Sequence, residues 1–367
     1  MSILSILAGI FFILLYAAIC FYVGYNGWVW LKTTRMKVNK WFYIGLLVML
    51  SASIILGQFI TFQPLKIVGG FWMVVIGYSL FLIPIANLLV YFFKKKGLFW
   101  IGLSIVLFFS FVFIYGSYNA WNPVIRSYDI HLNKQEESND LKILMVSDIH
   151  LGQIVGVKHL ERLVDKVEEV NPDIVLIPGD IIDDHIEPFI KEDMGKVLEK
   201  INAPLGVYAI PGNHDYYGND LNRMVVEVEK AGIDVLMDET VLINDGFYLI
   251  GRKDLTDDHR KKVSDLTRNL DQSKPVIMMD HQPYDLDIAE KNGVDLLLSG
   301  HTHRGQLSPA HLITDRIYEN DWGYLQKKNL HSLVSSGFGT WGPPIRLGSR
   351  SEVMVINLKF GPAKGPL

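Results

Sequence analysis

Hydrophobic positions come first as four long unbroken runs, near residues 3–25, 41–63, 67–93 and 98–118. Only after these does the chain turn to short alternating or periodic segments. Each run exceeds the roughly 18–20 apolar residues needed to cross a hydrocarbon core. None contains Asp, Glu, Lys or Arg. The pattern predicts four transmembrane helices. Trp28, Trp30, Trp41, Trp100, Trp121, Tyr22, Tyr25, Tyr43, Tyr115 and Tyr118 fall near the run ends, where amphipathic rings favour the membrane interface. Gln58, Asn87 and Pro84 interrupt the runs and read as packing positions between helices. The first run lacks a basic start and is followed by Trp and Lys, so it reads as a retained span and not as a cleaved signal.

After Asn122-Pro123 the period shortens. Residues 125–132 alternate in and out as a half-buried strand does, and the polar stretch Asn133–Asp140 predicts a turn. Leu141–Ser147 predicts a core strand, residues 158–170 a helix on Leu160, Leu163, Val164, Val167 and Val170, and Asp173–Pro178 a second strand. A helix near 190–201 and a strand at Gly206–Ile210 repeat the unit. Val241–Ile243 and Phe247–Ile250 flank Asn244-Asp245-Gly246, a hairpin signal. Further strands are predicted at Pro275–Met279, Asp295–Leu298, 331–336 and 352–358, whereas Gly305–Leu330 shows little strand pattern. A long irregular stretch directly after a set of histidines reads as a lid or lipid contact on one view, and as edge packing on another. The domains are therefore 1–121, four membrane helices, and 122–367, an α/β domain.

Charge sharpens that division. The first acidic residue is Asp129; residues 1–128 hold 9 of the 35 Lys and Arg, leaving 26 basic against all 39 acidic residues, a formal −13, to residues 129–367. The loop between the first two runs carries Lys32, Arg35, Lys37 and Lys40, the third loop Lys94, Lys95 and Lys96, and the second only Lys66. The positive-inside bias then places the first and third loops in the cytoplasm and residues 122–367 outside. The sole cysteine, Cys20, lies in the first run and reads as a small helix residue.

All 11 histidines follow residue 128. Five of them stand in ordered blocks: Asp148-Ile149-His150, Gly179-Asp180, Gly212-Asn213-His214-Asp215, Asp280-His281 and Gly300-His301-Thr302-His303. Each block follows a predicted strand, at the edge where α/β sheets build sites. Carboxylate and amide oxygens mixed with imidazole nitrogens suit a pair of divalent transition metals better than a thiolate-rich structural zinc. His159, His185, His259, His311 and His331 stand outside such blocks and read as ordinary surface or core residues. Asp183 and Asp184 read as loop.

The order and spacing of these blocks resemble the calcineurin-like metallophosphoesterase superfamily. Ser147-Asp148-Ile149-His150-Leu151-Gly152, Asn171-Pro172-Asp173 and the tail Gly337-Phe338-Gly339-Thr340-Trp341-Gly342-Pro343-Pro344-Ile345-Arg346-Leu347-Gly348 are similar to bacterial membrane-associated members of the YkuE/YaeI type. The resemblance covers about residues 122–358. It implies a two-sheet sandwich flanked by helices and two divalent metals (Mn, Fe or Zn, with Mn favoured). It implies that Asp148, His150 and His303 hold one metal, that Asn213, His281 and His301 hold the other, and that Asp180 bridges them. His214 would then assist the leaving oxygen, with Asp215 orienting its ring, while water held between the metals attacks in line. Arg346 is offered as a phosphate contact or as a buried structural ion-pair residue, since guanidinium matches phosphate geometry.

Gly179-Asp180-Ile181-Ile182-Asp183-Asp184-His185 lacks the Arg that protein Ser/Thr phosphatases carry after the bridging Asp, which speaks against protein phosphatase action. The expected function is a membrane-anchored hydrolase of a lipid-linked or envelope phosphate ester, a diester in preference, with the bilayer as partner and no nucleic acid. The alternatives are the same hydrolase on a soluble nucleotide, and a non-catalytic binding module of the same fold.

Overall fold

The computed structural model describes residues 3–60, 62–94, 96–134 and 140–361. The chain divides into two compact units, Met1–Ser117 with Gly342–Pro344, and Tyr118–Trp341 with Ile345–Leu367.

The four uncharged runs are helices: α1 (Ile3–Leu31), α2 (Lys40–Phe59), α3 (Gln63–Phe92) and α4 (Leu98–Trp121). All four are long and apolar enough to cross a membrane. Asn39 caps α2, its side chain accepting from the Trp41 and Phe42 amides. With little polar surface to spend, the helices use it on one another. Tyr16 donates to the Ser51 carbonyl at 2.7 Å, Tyr43 to the Gly24 carbonyl at 2.7 Å and Asn87 to the Tyr22 hydroxyl at 2.9 Å. Asn87 thus has a packing partner, and Pro84 is absorbed inside α3. Cys20 is buried with Trp72 and Ile76, as a small apolar residue would be.

The second unit begins with β1 (Val124–Leu132), β2 (Leu141–Met145), α5 (Val157–Val170), β3 (Ile174–Pro178), α6 (Glu187–Lys191), α7 (Gly195–Leu198) and β4 (Val207–Ile210). Then come α8 (Asn213–Tyr217), α9 (Leu221–Lys230), β5 (Asp234–Val235), β6 (Glu239–Ile243), β7 (Phe247–Gly251), α10 (Val263–Thr267), β8 (Val276–Met279) and α11 (Leu286–Lys291). The rest is β9 (Leu296–Ser299), a 3-10 turn His303–Gly305, α12 (His311–Ile317), β10 (Gly323–Lys327), β11 (Leu330–Val334) and β12 (Glu352–Phe360). One sheet has the order β1-β12-β2-β3-β4-β5 and the other β10-β11-β9-β8-β7-β6. β2 to β5 run parallel, as do β7, β8, β9 and β11.

Alternation explains the layers. Ile143 and Met145 of β2, with Ile174 and Leu176 of β3, point between the sheets and meet Leu249, Ile277, Met279, Leu296 and Leu298. Leu144, Val175 and Ile177 point the other way, onto Leu160, Leu163, Val167 and Val228 of α5 and α9. Strands buried on both faces must read as continuous apolar runs, which is why LKILM and IVLIP carry no polar alternation. α10 and α11 cover the second sheet through Val263, Leu266, Leu286 and Ala289. The expected hairpin forms between β6 and β7, with Asn244 and Asp245 at φ 47° and 56°.

Two expectations are corrected. The helix near 190–201 is two short ones, because Asp193 at φ 51° breaks the path between α6 and α7. The 305–330 stretch is not irregular, since it forms α12 and β10. The turn expected over Asn133–Asp140 lies mostly at residues 135–139, outside the described residues.

His159 of α5 is buried, its Nε2 3.1 Å from the Phe338 carbonyl and its ring edge-on to Trp121. Burial pulls the imidazole down to about 4, against the raising effect of that hydrogen bond. The unfolded chain takes up this proton near pH 6.5. The folded value lies below the unfolded one, so the stability associated with neutral His159 is present above pH 6.5 and is lost as pH falls towards 4. His159→Gln is expected to remove about 2 kcal/mol of the stability lost between pH 7 and 5. Denaturant titrations of both proteins at the two pH values check this, and equal losses would contradict it.

Candidate metal centre

Every block lies just past a strand of the parallel cores. Asp148 follows β2, Asp180 follows β3, Asn213 follows β4 and opens α8, His281 follows β8 and His301 follows β9. The loops are laced together through their own backbone. The Asp148 amide donates to the Gly179 carbonyl and the His150 amide to the Asp180 carbonyl, each at 3.0 Å, and the Gly300 amide donates to the His281 carbonyl at 2.9 Å. The His301 amide reaches Asp148 Oδ1 and the His214 amide reaches Asp180 Oδ1, both at 2.9 Å.

Close approach explains the glycines. A Cβ on Gly212 would overlap the Asp180 amide and carboxylate, and one on Gly300 would overlap Asp148 and Ser147. Gly179 stands at φ 93° with the His281 ring against it. Asp148, His150, Asp180, His301 and His303 all lie in the left-handed region, at φ 52°, 52°, 54°, 69° and 48°. Such conformations cost non-glycine residues of order 1–3 kcal/mol each. Their concentration in one place marks geometry held for chemistry.

The side chains meet in two adjoining groups. In the first, His150 Nε2 faces His303 Nε2 at 3.0 Å, His303 Nε2 lies 3.5 Å from Asp148 Oδ1, and His150 Nε2 lies 3.7 Å from Asp180 Oδ2. In the second, Asn213 Oδ1 lies 3.1 Å from His281 Nε2 and 2.8 Å from His301 Nδ1, and His281 Nε2 lies 3.2 Å from Asp180 Oδ2. Asp180 is common to both. Asp148, His150 and His303 offer ligand atoms within 4.8 Å of one another, as do Asp148, Asp180 and His281.

These donors fit two cations. Asp148 and Asp180 are fully buried, and the ion-pair partners found for them are histidines. A buried carboxylate needs a compensating positive charge. Burial pushes the Asp148 carboxyl up to about 6. Burial also draws His150 down to about 3 and His301 to about 4, and holds His303 well below its ordinary value. Neutral imidazoles are the form that binds metal. His281 goes the other way: burial lowers it, but Asp180 and Asp148 outweigh burial and raise it well above 6.5. His281 Nδ1 sits 2.9 Å from the Pro178 carbonyl, an outer hydrogen bond that leaves Nε2 facing the centre.

His214 adjoins this centre outside these two groups, its ring nitrogen within 4.8 Å of ligand atoms of His150 and Asp183. Its ring is edge-on to His150 with centroids 4.8 Å apart. Its Nδ1 is held by Asp184 Oδ1 at 2.7 Å. Asp215 does not orient the ring, contrary to the sequence expectation. Its carboxylate accepts from the backbone amides of Gly212 at 2.8 Å, Ile182 at 2.9 Å and Ile181 at 3.3 Å, so it fixes the Asp180 loop. Asp184, expected to be plain loop, takes the orienting place. Asp183 lies nearby, 3.8 Å from His150 Nδ1 and 4.0 Å from His214 Nδ1.

Arg346 is also corrected as a phosphate contact. It is fully buried, and its guanidinium is committed to the Gly339 and Ser336 carbonyls, Ser349 Oγ at 3.2 Å and His303 Nδ1 at 3.2 Å. It braces the loop whose Phe338 and Gly339 amides donate to the Ser147 and Asp148 carbonyls at 2.9 and 2.7 Å. Asp280 points away from the centre into Arg252 and Arg260, at 2.8 and 3.2 Å. Sequence reasoning placed Trp341 in the family-like tail and Tyr318 in the stretch after the histidines, and passed over Tyr217. Tyr217 and Trp341 stand 5.1 and 6.1 Å from the His214 ring, and Tyr318 stands 6.1 Å from His301, centroid to centroid.

A sandwich of two mixed sheets with paired Asp, Asn and His groups at its strand ends defines a metallophosphoesterase. Residues 141–305 match the calcineurin-like phosphoesterase family, and the chain belongs to it. An Aquifex aeolicus protein described as an uncharacterized metallophosphoesterase is 35% identical over 243 residues, 64% of this chain and 91% of its own length. A Danio rerio transmembrane protein with a metallophosphoesterase domain is 33% identical over 264 residues, 67% of this chain and 60% of its own. The Bacillus subtilis uncharacterized metallophosphoesterase YkuE is 30% identical over 233 residues, 59% of this chain and 79% of its own.

Proposed function

We propose that this chain is a membrane-anchored phosphoesterase that uses two divalent metals, Mn in preference, to hydrolyse a lipid-linked or envelope phosphate ester, a diester before a monoester. The observation that carries the reading is the sharing of Asp180 between two adjoining sets of N and O donors. Asp148, His150, Asp180 and His303 would hold one ion, and Asp180, Asn213, His281 and His301 the other. Two such ions supply an activated water and neutralise the phosphate oxygens.

The protein does the rest. His214 stands beside the donor sets with Nδ1 fixed on Asp184, leaving Nε2 to give a proton to the departing alkoxide. Burial disfavours the charged ring, but the Asp184 hydrogen bond and the charges of Asp180, Asp184 and Asp183 raise His214 above its ordinary value. It is thereby protonated over a wider range around neutrality, as a general acid must be. Ile149, Leu151 and Phe338, in the loops beside the donors, are fully buried in the core.

Purified full-length protein is expected to hydrolyse bis-p-nitrophenyl phosphate when Mn is supplied. No hydrolysis with Mn, Fe or Zn would make the chain a binding module. Parallel assays on envelope lipid extracts and on nucleotides separate the lipid-linked substrate from a soluble one.

The exterior placement rests on the loop charges: seven basic residues in the first and third loops against Lys66 in the second. An alkaline phosphatase fusion after Leu367 is expected to be active, and added protease is expected to cut the domain in wall-stripped cells. A silent fusion with full protection would place the domain in the cytoplasm.

A further inference from the structure

α12 is unusual for a helix in this unit because it buries none of its residues. Leu312, Ile313 and Ile317 are 54%, 62% and 54% exposed. It is nevertheless firmly held. Thr314 donates to Asp321 Oδ2 at 2.7 Å, and the Asp321 carbonyl accepts from Thr302 at 2.6 Å, inside the Gly-His-Thr-His block. Its first residues pack so closely on the turn containing His303 that a Cβ at Gly305 would overlap the Ala310 and His311 backbone. The residue after the helix, Tyr318, lies against His301 and Tyr284. Trp341 is 55% exposed near His214 and is clasped in both directions by Gln306. An apolar surface is thus fixed beside the metal donors, where the non-phosphate part of a ligand must lie.

The chain enters this unit at the same end. Asn119 and Asn122, at the close of α4, bond to residues 346–351: Asn119 Nδ2 donates to the Arg346 carbonyl at 3.3 Å, the Ser351 amide donates to the Asn119 carbonyl at 3.0 Å, and Arg350 donates to the Asn122 carbonyl at 3.0 Å. That segment pairs onward with the approach to α12, the Leu347 amide donating to the Gln306 carbonyl and the Ser308 amide to the Leu347 carbonyl at 2.8 and 2.6 Å. The point where the last apolar span ends and the apolar helix beside the site therefore flank one continuous segment.

We infer that α12 is a lipid-tail subsite: it receives the alkyl chain of a phosphate-bearing lipid whose phosphate lies at the metal centre. This rests on the phosphoesterase reading and names its substrate class. The exposed residues of α12 are Leu312, Ile313 and Ile317 together with Asp315 and Arg316, so the three aliphatic side chains are its apolar surface. Two residues, Asn122 and Pro123, separate α4 from β1, so an α4 that crosses a bilayer would tether this unit within reach of lipids, where such chains are concentrated.

The test uses the full chain in phosphatidylcholine nanodiscs with Mn and p-nitrophenyl phosphates whose second group is methyl, butyl or octyl. kcat/KM is expected to rise at least about tenfold from methyl to octyl, since each buried methylene contributes. In the triple variant Leu312→Asn, Ile313→Asn, Ile317→Asn the rise is expected to shrink to less than about threefold. A flat series in the unsubstituted protein, or an equal slope in the variant, overturns the inference. If the methyl ester itself is not hydrolysed, the phosphoesterase reading fails, and a second arm decides the subsite separately. Phosphatidic acid carrying a diazirine at the end of one acyl chain is irradiated with the unsubstituted protein. Labelling of residues 311–318 supports the subsite. Labelling confined to the four apolar helices overturns it.

Discussion

Asp180→Asn is expected to abolish turnover and to lower the metal content of both positions together. Asp180 lies within ligand reach of both donor sets, 3.7 Å from His150 and 3.2 Å from His281. Losing its charge removes the anion that offsets two adjacent cations. The change is nearly isosteric, and the amide oxygen can still accept from the His214 backbone. The fold is therefore expected to survive while metal affinity falls by more than the roughly 10–100-fold that outer partners control. Metal analysis of the purified variant, beside its melting curve, is the check. Ordinary content at both positions with ordinary activity would remove the dinuclear assignment, and loss at one position alone would make Asp180 a ligand of one ion only.

His214→Ala is expected to retain both metals and lose about 10²–10⁴-fold in turnover. The loss should be smallest with p-nitrophenolate as leaving group, which departs without a proton, and largest with an alkyl alcohol. Asp184→Asn should reproduce part of that loss, since it releases Nδ1 without removing the ring. Asp215→Asn should act differently. The Asp215 carboxylate gathers three backbone amides of the Asp180 and Asn213 loops, so its loss is expected to lower stability and metal retention together. Kinetics on two substrates with contrasting leaving groups distinguish these cases. An equal loss on both would take the proton-donating role away from His214.

The two families of variants follow a boundary in what the sequence exposes. The four long apolar helices were legible because length without charge is sufficient for them. The core strands were legible because β2 and β3 are covered on both faces and leave no polar alternation. The Asp, Asn and His blocks were legible as one cluster because each follows such a strand, and the strand ends converge. The structure brings Asp148, His150, Asp180, Asn213, His281, His301 and His303 into the two donor sets. Which neighbour supports which ligand was not legible. Asp183, Asp184 and Asp215 are all within a few residues of the right place, and only the three-dimensional path of the loop turns Asp184 to the imidazole. Arg346 carries the chemistry of a phosphate contact, but its burial and carbonyl partners are set by a loop that no periodicity describes. α12 was missed for a related reason. Its apolar residues face outward, so it lacks the buried stripe by which a short helix is recognised, and its seven residues are too few for propensity to decide.

The most direct measurement of the central claim is a metal titration of the full chain, stripped with chelator and held in nanodiscs, with bis-p-nitrophenyl phosphate hydrolysis followed in the same samples. The account predicts binding of two Mn per chain, with hydrolysis appearing as the second position fills. Binding of one ion or none at saturation, or hydrolysis that is the same with and without metal, would contradict it.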